Sequence, residues 1–385
     1  MTGFEFCTAP RIVFGSGTVK KLPQICAAHG KTYLIVTGGS ALKRSGTLDE
    51  LLAGMGSAGL GFTVYDGVTG EPTPETVEAA AQLGMSQNVD AVLGIGGGSA
   101  MDTAKAAAGV ITNGGSVRRF LEGVGDGAKM AVDPLPFIAV PTTAGTGTEV
   151  TKNAVVMSVK DKFKVSMRDE RLLARVALVD PALTLDAPSH VTAASGMDAI
   201  CQLVESYTTR SANEFCDAMA LYHTPRAMAA LRRACAHGHD LEARETMSLA
   251  ALVSGMCLAN SGLGAAHGIG AGLGAVLGIT HGVACGMLLP HVIRYNISHG
   301  VTKYAALAPA VCGKTFDNAK EAALAVADTV AALCADVGLP KRLSDFGVSE
   351  ENADELAAAS MGSSMSKNPV TITKEDCAKF IRSLI

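Results

Sequence analysis

Short apolar runs alternate with helical patterns from residue 10 to about 180, and beyond Pro181–Pro188 no such run recurs. The runs are Thr32–Thr37, Phe62–Tyr65, Ala91–Ile95, Phe137–Val140 and Ala177–Asp180; the helical patterns among them cover Ala41–Met55, Pro74–Gln87 and Ala100–Ile111. Strand, helix, strand at this spacing predicts a parallel sheet wrapped by helices, a Rossmann-like α/β domain. The later half predicts helices alone, over 191–208, 213–235, 241–260, 283–296, 317–336 and 374–384. The expected division is 1–181 for an α/β nucleotide-binding domain and 182–385 for an all-helical one, and 385 residues leave room for both.

Ligands of a parallel sheet bind beyond the carboxyl ends of its strands, and two strand ends here carry fitting chemistry. After Ala91–Ile95 comes GGGSAMDTAK, Gly96–Lys105. Its glycines let the backbone approach a phosphate, and Ser99 is expected to cap the helix whose positive end faces a pyrophosphate. The spacing is not GxGxxG. After Phe137–Val140 comes VPTTAGTGTEVT, in which Thr142, Thr143 and Thr146 offer hydroxyls and Gly145 and Gly147 allow close approach. Two such loops point to a nucleotide. A third strand end, Val36–Gly46, places Gly38, Gly39 and Ser40 where a carboxylate commonly binds the ribose 2′-hydroxyl of NAD, with Lys43 and Arg44 following. NADP(H) is therefore expected in preference to NAD(H).

The stretch Gly262–Gly282 holds two histidines, His267 and His281, among small and apolar residues. On one helix they would be roughly 21 Å apart, too far to share an ion. Gly278, followed by the poor helix formers Ile279 and Thr280, supplies a break at which His281 can turn back towards His267. On 191–208, Asp198 and Gln202 share a face at i, i+4, and a buried acid needs a partner. The four side chains make an O/O/N/N set suited to Fe²⁺ or Zn²⁺. Two structural histidines in a tight helix pair is the other reading.

The net charge of −4, without a dense Lys/Arg patch, gives no electrostatic case for nucleic acid. Ten cysteines show no CxxC pair and read as small buried hydrophobes in a reducing compartment. The N-terminus lacks the basic start and apolar stretch of a signal peptide, and the apolar run near Leu252–Gly278 is interrupted by Ser, Asn, His and Gly. These features predict a soluble cytoplasmic protein with no membrane partner.

With GGGSAMDTAK, PTTAGTGTEV, GMDAICQ, GLGAAHG and THG in this order, the chain resembles the iron-containing (group III) alcohol dehydrogenases. The resemblance runs from APRIVFGSG to SKNPVTIT, essentially the whole chain. It implies the dehydroquinate synthase-like fold, a nucleotide-binding α/β domain followed by a helical one. It also implies hydride transfer between NAD(P) and a small alcohol or aldehyde polarised by Fe²⁺ or Zn²⁺, in a homodimer or larger homo-oligomer. Carried onto this chain, it gives Asp198, Gln202, His267 and His281 as metal positions, with Asp198, His267 and His281 catalytic. Cofactor positions are Gly97, Gly98, Ser99, Asp102, Thr142, Thr143, Thr146 and Leu183, with Asn153 and Lys164 near the nicotinamide half. Gly38–Ser40 looks like the NADP-using members.

Two positions depart from the family pattern: Gln202 stands where the metal helix usually has histidine, and Ala271 where a further histidine helps relay the substrate proton. Asp198, His267 and His281 still form a two-His-one-carboxylate set, and water is expected to deliver the proton. Candidate pocket residues are Asn153, Cys257, Asn260 and Ala271, with Lys152 or Lys164 as a possible anion clamp. Three alternatives stay open: a metal-independent reductase using Gln202 as hydrogen-bond donor, a non-catalytic nucleotide-binding protein, and a related fold with lyase or polyol chemistry.

Overall fold

The computed structural model describes residues 3–38, 41–340 and 342–385. Its strands are β1 (Ile12–Phe14), β2 (Thr32–Gly38), β3 (Gly61–Val68), β4 (Ala91–Gly96), β5 (Phe137–Pro141), β6 (Asn153–Ser158), β7 (Phe163–Arg168) and β8 (Val176–Val179). Six of them form one parallel sheet in the order β1-β8-β5-β4-β2-β3. β4, β5 and β8 are buried along their whole length. That burial follows from their unbroken apolar sequences, as a sheet covered on both faces requires. The covering helices are α1 (Leu22–Ala27), α2 (Ala41–Arg44), α3 (Thr47–Ser57), α4 (Pro74–Ser86) and α5 (Gly98–Asn113). α4 starts where the sequence says it should: Thr73 caps it by accepting from Thr76 N at 3.2 Å, with Pro74 in its first turn.

Three expectations need correction. The single helix over Ala41–Met55 is two, because Gly46 takes φ 77° and starts α3 anew. β1 and the antiparallel β6–β7 hairpin went unrecognised. β6 alternates half-buried and buried side chains instead of forming a continuous apolar run, and β7 carries Lys164, Ser166 and Arg168 among its apolar residues.

From β2 the chain proceeds outward to the edge strand β3, then returns to place β4 on β2's other side. The loops leaving β2 and β4 therefore diverge and open a crevice at the switch point. The two strand ends are in near contact there: a Cβ on Gly96 would lie 2.7 Å from Ala100 Cβ and 3.3 Å from Gly38 N.

The helical half contains α6 (Ser189–Thr208), α7 (Glu214–Ala236), α8 (Leu241–Ser261), α9 (Ala265–Leu277), α10 (His281–Ser298), α11 (Ala308–Cys312), α12 (Ala319–Asp336), α13 (Ala353–Ala359), α14 (Ser363–Ser366) and α15 (Lys374–Arg382). α6 is its axis, packed by α7, α8 and α10. Among the described residues no single helix is long and apolar enough to cross a membrane; α8 and α9 pass that test only together and are bent by 99°.

Two features join the halves. Gly147 and Gly255 meet backbone to backbone, such that a Cβ on Gly147 would lie 2.4 Å from Gly255 Cα. Two residues earlier in the same loop, Gly145 sits against Ser195 of α6. Within the first half, the fully buried Lys105 ties α5 to the loop after β5. Its ammonium donates to Thr148 O at 2.7 Å, Thr151 O at 2.8 Å and Asn153 O at 2.9 Å, with the Thr148 and Thr151 hydroxyls at 3.2 and 3.1 Å. Burial pushes its pKa down to about 8, against the pull of Asp102 and Glu149, so the group is charged at neutral pH.

Candidate active site

The break at Gly278 is present. Gly278 ends α9 in the left-handed conformation, φ 69°, with its N–H on Gly274 O, and His281 opens α10. The chain doubles back, and the His267 and His281 rings lie 5.4 Å apart centre to centre. α6 brings Asp198 to the same point, with Asp198 Oδ1 3.2 Å from His267 Nε2. Donor atoms of Asp198, His267, His281 and Cys285 all lie within 4.8 Å of one another.

Glu205 had no role in the sequence reading, although Asp198, Gln202 and Glu205 follow an i, i+4, i+7 stripe that faces one way. Its carboxylate accepts from the backbone N–H groups of Gly264 at 3.0 Å, Ala266 at 2.7 Å and His267 at 3.3 Å, capping α9. It also accepts from His267 Nδ1 at 2.7 Å. That bond places a ring proton on Nδ1 and turns Nε2 towards Asp198, the orientation that carboxylate-supported histidine ligands use. Asp198 and Glu205 are 2 % and 3 % exposed, and among the described residues their ion-pair partner is His267 alone. Two buried carboxylates against one imidazole leave the pocket short of positive charge. A divalent cation fits both the charge and the donors.

Gln202, one turn on from Asp198, is buried, and its carboxamide is held by Ser254 Oγ of α8 at 2.6 Å. Ala271 lies in α9, one turn after His267.

A cavity of about 310 Å³ opens at the switch point, lined by Gly38, Gly97, Thr142, Thr143 and Leu183 from the expected cofactor set, together with Arg44 and Val191. Gly39 and Ser40 lie outside the described residues. Lys43 is exposed and does not line the cavity; Arg44 does. Ser99 does not cap α5, whose N-cap is Gly97 with no side-chain bond, so the helix start is open towards the crevice. Gly98 packs so closely under Thr146 that a Cβ would lie 2.6 Å from Thr146 Cγ2. Asp102 is spent inside the protein, accepting from the Thr148 hydroxyl and, at 3.1 Å, from Val155 N. From Val191 at the cavity to Asp198 is a stretch of α6 about 10 Å long.

The β6–β7 hairpin carries Asn153 and Lys164. Asn153 Nδ2 donates to Ser166 Oγ at 3.4 Å. Lys164 Nζ donates to Glu71 Oε1 at 3.0 Å, and its stem lies over Gly274 of α9. Burial acts to raise the pKa of Glu71, but Lys164 and His281 more than offset it and hold the carboxyl below its ordinary range. Lys152 pairs with Glu170 at 2.9 Å. Both expected anion clamps thus already have counter-charges. Two other pocket candidates belong elsewhere: Asn260 binds the Cys7 backbone on both sides at 2.6 and 2.9 Å, and Cys257 donates to Cys216 O.

The iron-containing alcohol dehydrogenase model matches residues 9–181, and the C-terminal model of the Fe-containing alcohol dehydrogenase family matches residues 192–385. The chain is 33% identical to a 1,3-propanediol dehydrogenase of Citrobacter freundii, with 98% of each chain covered. It is 35% identical to a lactaldehyde reductase of Escherichia coli, with 94% of each covered. A crystal structure of a 1,3-propanediol oxidoreductase superposes with TM-score 0.93 over 100% of both chains at 31% identity. With models matched across both halves and relatives aligned nearly end to end, the chain belongs to the iron-containing alcohol dehydrogenase family and is an alcohol/aldehyde oxidoreductase.

Proposed function

We propose that the chain is a metal-dependent, NAD(P)H-linked alcohol dehydrogenase and aldehyde reductase of small uncharged substrates, with NADP(H) preferred. The observation that carries this reading is the convergence of buried Asp198 and His267 with half-buried His281, on the helix that also lines the cavity with Val191. Asp198, His267 and His281, with Gln202 beside them, would hold Fe²⁺ or Zn²⁺, which supplies Lewis acidity to a carbonyl oxygen. NADPH supplies the hydride.

The protein's own part is to bind, orient and exclude. The open start of α5, with Gly97, Gly98 and Ser99, and the hydroxyls of Thr142, Thr143 and Thr146 receive the pyrophosphate. Asp102 acts one step back, fixing the threonine loop through Thr148. Leu183, which lines the cavity, would pack against the bound nucleotide. Asn153 and the Lys164–Glu71 pair border the nicotinamide half, and with both lysines paired the pocket suits a neutral substrate. Ala271 offers no titratable group, so water from the cleft delivers the proton to the nascent alkoxide.

The NADP(H) preference rests on Arg44 at the cavity and on the missing carboxylate after β2. With one charge-assisted hydrogen bond to a 2′-phosphate, kcat/KM for NADPH should exceed that for NADH by about ten- to hundredfold. A preference for NADH in steady-state assays with one aldehyde refutes it. Glu205→Gln should leave the fold intact but weaken metal affinity about ten- to hundredfold, because the His267 ring loses the anionic acceptor that fixes its tautomer and raises its basicity. Titration of metal-free protein with a competing chelator checks this. Unchanged affinity removes Glu205 from the site.

A further inference from the structure

The role of Cys285 is not explained by the site as described so far. It is fully buried in α10, one turn after His281, where a free thiol among apolar neighbours passes for packing. Its Sγ lies 3.6 Å from His281 Nε2 and 3.8 Å from His281 Nδ1, and it is the fourth donor of the cluster with Asp198, His267 and His281. A tetrahedral ion with bonds of about 2.0–2.3 Å keeps its ligand atoms about 3.3–3.8 Å apart. The separations of Cys285 Sγ from His281 Nε2, 3.6 Å, and of His267 Nε2 from Asp198 Oδ1, 3.2 Å, are already near that spacing. Gly270 of α9 makes the room, since a Cβ there would lie 3.0 Å from the sulfur. Gln202, meanwhile, has its carboxamide held on the α8 side by Ser254.

We propose that the Cys285 thiolate is the fourth protein ligand of the ion, replacing the donor that Gln202 fails to supply. The proposal rests on the metal-dependent reading above and deepens it. The residues that would hold the ion are then Asp198, His267, His281 and Cys285, and the ion would supply Lewis acidity to a carbonyl oxygen. On binding, the thiol proton is released to solvent and the sulfur lone pair forms the metal bond, with no redox change. A soft thiolate also shifts the site from Fe²⁺ towards Zn²⁺.

Cys201 provides the control. Its Sγ neighbours Cys285 but sits 3.6 Å from His267 Nδ1, the nitrogen committed to Glu205, and it is not among the cluster's donors. The experiment is to load metal-free protein with Co²⁺ without oxygen and record its near-ultraviolet and visible absorption. Wild type should bind one Co²⁺ per chain and show a sulfur-to-cobalt charge-transfer band. Cys201→Ser should keep the band. Cys285→Ser should lose it and bind Co²⁺ about tenfold or more weakly, as expected for a lost ligand. Adding Gln202→His to Cys285→Ser should restore the affinity without the band. Stoichiometric Co²⁺ with no such band in wild type, or a band that survives in Cys285→Ser, overturns the proposal and leaves the metal-dependent reading standing. Failure of wild type to bind Co²⁺ or Zn²⁺ at all overturns both.

Discussion

Asp198→Ala is expected to purify with little bound metal and to lose at least about a thousandfold in kcat, since Lewis-acid assistance contributes several kcal/mol and each 1.36 kcal/mol is tenfold. The argument is one of charge as well as coordination. Asp198 is the carboxylate that His267 Nε2 faces at 3.2 Å, and without it the two imidazoles are left to hold a dication with no anionic oxygen between them. The fold should survive. In the absence of metal, Asp198 is a buried acid with one imidazole for company, so its removal relieves an unfavourable burial. Metal-free Asp198→Ala should therefore unfold no earlier than metal-free wild type. Elemental analysis beside steady-state turnover makes the check: one iron or zinc per chain with undiminished kcat would remove Asp198 from the ligand set, and undiminished kcat without bound metal would sink the metal role. Metal-free wild type that still oxidised NADPH with an aldehyde would move the electrophile's role to Gln202.

Lys105→Met should cost stability, about 3–5 kcal/mol, the range for removing one partner of a buried charged network. Three backbone carbonyls, of Thr148, Thr151 and Asn153, lose their donor together. Asp102 and Glu149 lose the cation that helps them stay ionised; burial already lifts Glu149 to about 7. At roughly 2–4 °C per kcal/mol for a unit of this size, the midpoint should fall by about 10 °C. The loss should fall on the cofactor loop as well, so that KM for the nucleotide rises in the fraction still folded. Lys105→Arg should not rescue, because the larger planar head cannot fit a pocket closed on every side. A midpoint within a degree or two of wild type would show that the five oxygen contacts are incidental.

The sequence was most readable where one pattern had one meaning. Runs such as Ala91–Ile95 and Phe137–Val140 are apolar throughout, and a sheet sealed on both faces is the arrangement that buries them all. Gly278 was legible for the same reason: a helix of small residues ends at a glycine, and the histidines on either side must then converge. Residues with a double meaning were missed. Asn153–Ser158 alternates, as exposed loops can, and became a strand through its partner Phe163–Arg168. Cys285 reads as a small hydrophobe until α9 turns His267 towards it. Lys105 and Glu205 sit in helical sequence as ordinary surface charges do, and their burial is set by loops that arrive from 43 and 59 residues away. Ser99 was misplaced by two positions, since the helix begins at Gly98 and the cap falls on Gly97.

The contact between Gly147 and Gly255 limits how this protein can change. A steric conflict between two side chains can be repaired at either end, because trimming one makes room for the other. Here neither end has anything to trim: a Cβ on Gly255 would lie 2.3 Å from Gly147 O, as one on Gly147 would meet Gly255 Cα. The two positions therefore have no compensating pairs, and each is fixed by the other's main chain. Exchanging the cofactor half for that of a relative, to alter nucleotide preference, will succeed only where the incoming loop brings a glycine to meet Gly255. Random recombination with a breakpoint near Pro181–Pro188 has to satisfy the same condition, although the two glycines are far apart in the gene.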